Sequence, residues 1–217
     1  MGFHPNVDSE VPRESARLPP VVGGSEAVEK VFDINRVRPL EPASFQPLRR
    51  YFSVRQQKRI DQFLAALNQL TVKRNCLADR MGIRQDWWWP ADLNLDVRAL
   101  MKSDPLTDRA LVPDEVRISD PTVFDRKLEI MVEDRYNEIA RDGTDLGGTK
   151  SSRVTLIPEN GRWVIDSIVF TVRQYERMTV TSLAQILDRN IKQLRLALRK
   201  IPRGELEVRT PKPASGD

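Results

Sequence analysis

The stretch Trp163-Val164-Ile165-Asp166-Ser167-Ile168-Val169-Phe170-Thr171-Val172 constrains the fold more than any other part of the chain. Its residues are mostly β-branched or aromatic, and apolar side chains fall at both odd and even positions. A strand that is apolar on both faces belongs in the middle of a sheet with cover on each side. Glu159-Asn160-Gly161 stands directly before it, and Asn-Gly between two apolar runs is a tight hairpin signal. The partner strand is then Ser152-Arg153-Val154-Thr155-Leu156-Ile157. Earlier still, Val116 and Ile118 alternate with charges, as do Leu128, Ile130 and Val132. Strands are expected at about 115–119, 126–140, 151–158 and 162–174. Residues 120–141 admit a second reading, because Asp120-Pro121 also suits a helix cap with Phe124, Leu128, Met131, Arg135 and Ile139 along one side. The strand reading is preferred, since the hairpin after it needs sheet neighbours.

Helical periodicity occupies the two flanks. Ile60, Phe63, Leu64, Leu67 and Leu70 form one stripe within an expected helix 54–75, with shorter helices expected at 26–36 and 44–53. Val180, Ala184, Leu187, Ile191, Leu194, Leu198 and Ile201 step 4-3-4-3-4-3 through an expected helix 179–201 that Pro202 ends. The segment 82–110 is irregular and carries Trp87-Trp88-Trp89-Pro90, three rings that no single face can hide. Residues 1–24 and 204–217, rich in Pro and Gly, read as loose tails around one α+β domain at 25–203. The fold class expected is therefore α+β: a curved antiparallel sheet packed by N-terminal helices, with an added C-terminal amphipathic helix.

Composition removes several chemistries. The only histidine, His4, lies in the N-terminal tail, and Cys76 is the only cysteine. Histidine-dependent triads, an internal disulfide and Cys/His metal sites are therefore not expected, nor is any cofactor. Cys76 itself reads as a small, half-buried helical residue. No run approaches the ~18 apolar residues of a membrane span. Met1-Gly2-Phe3-His4-Pro5 shows no leader pattern; the chain is expected to be cytoplasmic if that start is native, exported or anchored if a signal was removed. The glycines Gly143, Gly147 and Gly148 lack phosphate-loop spacing and read as a turn.

The run Leu111–Phe170 resembles the C-terminal half of nuclear transport factor 2-like domains, the cystatin-like, cone-shaped α+β folds. Carrying the likeness are Glu115-Val116-Arg117-Ile118-Ser119-Asp120-Pro121, Leu128-Glu129-Ile130-Met131-Val132 and Arg153-Val154-Thr155-Leu156-Ile157, closed by Gly161-Arg162-Trp163 and its strand. The resemblance implies a strand meander with helices across its concave face, and a superfamily that holds isomerases, cyclases, dehydratases and non-catalytic assembly domains. Enzymes of this kind work from the floor of the cone. There the resemblance points to Asp166 as base, with Tyr136 and Glu138 beside it.

Other candidates concern partners. The helix seam at Leu183, Leu187, Ile191, Leu194 and Leu198 and the rings of Trp87 and Trp88 are candidate surfaces for a protein partner or self-association. An equal alternative is that the seam lies on the chain's own sheet. Arg49, Arg50, Lys58 and Arg59, together with Arg189, Lys192, Arg195 and Arg199, form basic helix faces that suit nucleic acid or simply water. A non-catalytic binding or assembly module using the surfaces of the sheet and the C-terminal helix ranks first, a cone-pocket enzyme second and a nucleic-acid-associated protein third.

Overall fold

A computed structural model describes residues 18–34, 42–82, 104–109, 112–137, 148–174 and 177–200. Helix α1 spans Val22–Val31 and α2 Pro42–Phe45, followed by a single 3₁₀ turn at Arg49–Tyr51 and the long α3 at Val54–Arg80. Strands β1 (Glu115–Ile118), β2 (Thr122–Phe124), β3 (Lys127–Tyr136), β4 (Gly148–Glu159), β5 (Arg162–Gln174) and β6 (Arg177–Ser182) follow, then α4 (Leu183–Lys200). The strands form one open, curved antiparallel sheet ordered β1-β3-β4-β5-β6, with β2 also paired to β3.

Turn chemistry explains the meander. Asn160 and Gly161 take φ of 51° and 73°, the left-handed pair of a type I′ turn, which matches the right-handed twist of β4 and β5. Asp125 and Arg126 make the same kind of turn at φ of 43° and 57° between β2 and β3. No glycine marks that second turn, so the β2–β3 hairpin has no sequence signature and was not among the expected strands. The segment open to two readings is β3, and its burial alternates: Leu128, Ile130, Val132 and Asp134 point inward, Met131 and Arg135 outward.

The helices lie on the inward face. The core joins Ala27, Val28 and Val31 of α1, Ile60, Phe63, Leu67 and Leu70 of α3, and Leu183, Leu187 and Leu194 of α4 to the inward residues of β3, β4 and β5. Backbone groups near Gly24 come so close to the sheet that a Cβ there would stand within 2.2 Å of Leu128 Cδ2. Trp163 Nε1 donates to the carbonyl of Pro19 at 3.0 Å. Residues 18–24, expected within a loose tail, are thus part of the packed domain, because the indole needs an acceptor and α1 needs a glycine at its closest approach.

Three further expectations need correction. The C-terminal helix starts at Leu183, not at 179, because Thr179, Val180 and Thr181 are β-branched and pair with β5 as β6. Ser182 then opens the helix: its Oγ accepts from the backbone N–H of Gln185 at 3.2 Å, while Gln185 Oε1 accepts the N–H of Ser182 at 2.8 Å. The helices expected at 26–36 and 44–53 are α1, which begins earlier, and two short pieces separated by Gln46–Leu48. Finally, β5 is central, but among the described residues its second face is covered only near the strand's start, where Val164 is buried. Ile165, Ile168 and Phe170 are buried under the helices, whereas Ser167, Val169 and Thr171 on the other face are half-exposed.

Candidate functional site

On the helix-covered face of the curved sheet, polar side chains gather around β3 and β4. Asp134 of β3 stands opposite Lys150 of β4, which stands opposite Val172 of β5. Facing them is a tight loop, Asp104–Arg109, closed by an antiparallel bridge between its first and last residues. Asp104 shapes the loop from within, accepting from Leu106 N at 2.9 Å and from the Thr107 hydroxyl at 3.3 Å. The Arg109 side chain is fully buried and meets Asp134 in a two-pronged ion pair, Nε to Oδ2 at 2.9 Å and Nη2 to Oδ1. Arg109 Nη1 also donates to the carbonyls of Phe32 and Asp33, at 3.2 and 3.0 Å, tying the C-terminal end of α1 into the cluster.

Lys150 completes it. Its Nζ donates to the carbonyl of Thr107 at 2.7 Å and to that of Asp108, pairs with the Asp108 carboxylate at 3.0 Å and sits 4.7 Å from the centre of the Phe170 ring. Burial pulls the Lys150 ammonium below its ordinary pKa, against the opposing pull of Asp108. Burial likewise pushes the neighbouring Tyr136 hydroxyl up to about 12, helped by the charge of Asp134, so it stays protonated. The loop fills the space with its own side chains: Asp104, Leu106, Thr107 and Arg109 are all without exposure. Buried beside Phe170, the hydroxyl of Ser152 is the one polar atom of this cluster without a hydrogen-bond partner among the described residues.

Asp166 lies elsewhere. It is the extra residue of a β-bulge, where the register shifts between Thr155 and Leu156, and the bulge puts Val164 on the face opposite Ile168 and Phe170. Its carboxylate accepts from Ser53 Oγ at 2.9 Å and from Arg55 Nη2 at 2.7 Å, and its carbonyl from Gln56 Nε2 at 2.6 Å. Ser53 is at the same time the N-cap of α3, and its backbone N–H donates to Ile165 O. Asp166 therefore fastens the start of α3 onto β5. Tyr136 pairs with Gly148, seven residues along β4 from the bulge, so about 23 Å at ~3.3 Å per residue separates the two groups. Glu138 lies outside the described residues, as do Trp87 and Trp88.

The remaining candidates are on the helices. Leu183, Leu187, Ile191 and Leu194 are buried in the core and Leu198 packs against its rim, so the chain itself covers the seam. Outward on α4 remain Leu196, Arg189, Lys192, Arg195 and Arg199. An open groove of about 430 Å³ runs along α4 beside Gln62 of α3, with Ile191 and Leu196 below and Lys192, Arg195 and Arg199 above. The basic residues of the first cluster are partly engaged: Arg49 with Asp61 at 2.8 Å, Arg50 with the Tyr51 hydroxyl at 2.7 Å, Arg59 with Asp188 at 3.7 Å, while Lys58 is exposed. Cys76 is exposed on α3, not half-buried, since the apolar stripe of that helix passes through Leu70 and Leu77.

The sheet was expected as a binding surface without named residues, and the structure supplies them on its outer face. Met131, Arg153, Val169 and Ser182 form one row across it, and Glu133, Ser151, Thr171 and Val180 the next. Met131 is 44% exposed, Val180 57% and Met178 69%. A depression of about 210 Å³ beside Met131 is bordered by Arg117, Ser119, Glu133 and Ser151. Among the described residues no group of acidic, cysteine or histidine side chains is placed to hold a metal ion, and no helix is long and apolar enough to cross a membrane. Comparison with protein-family models, curated proteins and solved structures finds no match.

Proposed function

We propose that this protein is a binding or assembly module on a cone-shaped, nuclear transport factor 2-like scaffold, and that it works through its outer surfaces. One observation carries the reading: the cone floor is filled by the Asp104–Arg109 loop, whose Arg109 and Leu106 have no exposure, while the opposite face of the same sheet carries exposed Met131, Val180 and Met178. A ligand entering the cone would have to displace a buried ion pair, whereas a partner on the outer face displaces only water. Asp166 supports the same reading, since its carboxylate is committed to Ser53 and Arg55.

Leu187 and Leu194 are core residues, so charges placed there would unfold the domain and report nothing about partners. Photo-crosslinking side chains at Met131 on the sheet and Leu196 on α4, with exposed Lys30 of α1 as control, give the direct test in living cells. Discrete heavier adducts are expected from Met131 or Leu196 and not from Lys30. Adducts from Lys30 alone, or from none of the three, overturn the reading.

A further inference from the structure

The two edges of the sheet are finished differently. At one edge β1 is short and charged, and its Glu115 is ion-paired with Arg117 at 2.7 Å and Arg135 at 3.6 Å. Charges and short length are what protect an edge strand from pairing with another chain. At the other edge β6 ends the strand order among the described residues, and after its first residue, Arg177, the run Met178-Thr179-Val180-Thr181-Ser182 contains no charge, proline or glycine. Met178, Thr179 and Val180 are all exposed. Its inner edge is fully used by β5, from Val169↔Ser182 to Gln174↔Arg177, which leaves its outer backbone donors and acceptors facing outward.

We propose that β6 is a homotypic docking edge: a second copy of this chain pairs with it antiparallel about a two-fold axis through Val180. This rests on the assembly reading above and names the partner. Directly opposed residues of an antiparallel pair share a face, so a two-fold axis must pass through a residue position and cannot lie between two. Centring on Val180 sets it against its own copy on the outer face, with Met178 opposite Ser182; on the inner face Thr179 meets Thr181. Every opposed pair is uncharged, so a chain with net charge +4 meets no like-charge conflict along this line. The same operation brings the exposed Val180 and Met178 of both copies together on the outer face, with Val169 diagonal to Val180 across β5. An edge of this length buries less than the ~800 Å² per partner of a stable dimer, so the association is weak and concentration-dependent.

The register makes the proposal sharp. In a Cys76→Ser background, Val180→Cys places two thiols at directly opposed positions, where Cα atoms stand about 4.5–5.5 Å apart and a disulfide closes readily. Met178→Cys places them four residues apart along the pair, roughly 13 Å, beyond disulfide reach. Under mild oxidation Val180→Cys is expected to form a covalent dimer and Met178→Cys is not. Val180→Lys, at an exposed site, is expected to leave the fold and Tm unchanged and to raise the dimer dissociation constant in sedimentation by at least about tenfold. Equal crosslinking at both positions, or none at either, overturns the two-fold pairing. If Val180→Cys fails while a photo-crosslinker at Val180 captures a different protein, the second copy is wrong and the assembly reading stands. If Met131, Leu196 and Val180 all give nothing, both fall.

Discussion

Removing the Asp134 carboxylate tests how the Asp104–Arg109 loop is held against the sheet. Arg109 and Asp134 have side-chain exposures of 0% and 1%, so neither charge has water to fall back on. Asp134→Ala leaves a guanidinium that still donates to the Phe32 and Asp33 carbonyls but has lost its counter-charge. It also leaves a second cation in the cluster, Lys150, which remains paired with Asp108. Breaking one partner of a buried pair costs about 3–5 kcal/mol, and the complete burial of Arg109 places this case at the upper end. A domain of this size is stable by ~5–15 kcal/mol, so the variant stands close to unfolding, with Tm lower by roughly 10–20 °C. Replacing both partners, Arg109→Met with Asp134→Ala, removes the stranded charge, and Arg109→Met alone closes the cycle. Only the two carbonyls then lose donors, at about 1 kcal/mol each. Urea unfolding followed by circular dichroism is expected to show the double variant more stable than Asp134→Ala, with a coupling energy of about 2–3 kcal/mol. Should the single variant fail to fold, soluble recovery of the double variant reads out the same coupling. A single-variant cost below about 1 kcal/mol, or costs that simply add, would refute the reasoning and detach the loop from the sheet.

Two further outcomes follow from local geometry. Gly161→Ala adds a methyl group where no atom lies within 4 Å, so its cost is backbone strain at φ +73°, about 1–2 kcal/mol, read as a lower urea midpoint at unchanged slope. Tyr136, whose hydroxyl is raised from 10 to about 12, keeps its proton in the folded state where the unfolded chain loses it. Stability therefore falls as pH climbs from 10 to 12, by ~1 kcal/mol once its half-burial is discounted, and Tyr136→Phe is expected to flatten that portion of the stability–pH curve relative to the unsubstituted chain.

The parts of the fold legible in sequence were those where one local rule dominates. Asn160-Gly161 announced its turn because only glycine and asparagine tolerate both left-handed positions cheaply. The β3 alternation prevailed over the competing helical stripe because Leu128, Ile130, Val132 and Asp134 all needed the inward face. Where two rules agree by accident, the reading slipped: Val180 fits the heptad of α4, yet its β-branched neighbours pair with β5 and the cap falls at Ser182. The serine-to-glutamine spacing of that cap was visible and would have set the boundary. The Arg109–Asp134–Lys150 cluster had no such signal. Its members are far apart in sequence and acquire meaning only when the Asp104–Arg109 loop meets the sheet.

The pattern of β5 makes a demand that the described residues answer only in part. Apolar residues at odd and even positions call for two covering layers. The described helices supply one, over Ile165, Ile168 and Phe170. On the other face Val169 and Thr171 are half-exposed, next to Val180 and Met178 of β6. A sheet meant to face water on that side would alternate cleanly with polar residues there, as β3 does with Lys127, Glu129, Glu133 and Arg135 around Met131. The contrast within a single sheet locates the unanswered demand: it is strongest toward the β5–β6 edge and weakest toward β1, where ion pairs guard the rim. Under the pairing proposed above, a second copy meeting the sheet at β6 would cover the apolar face and extend the strand edge that the described residues leave unpaired.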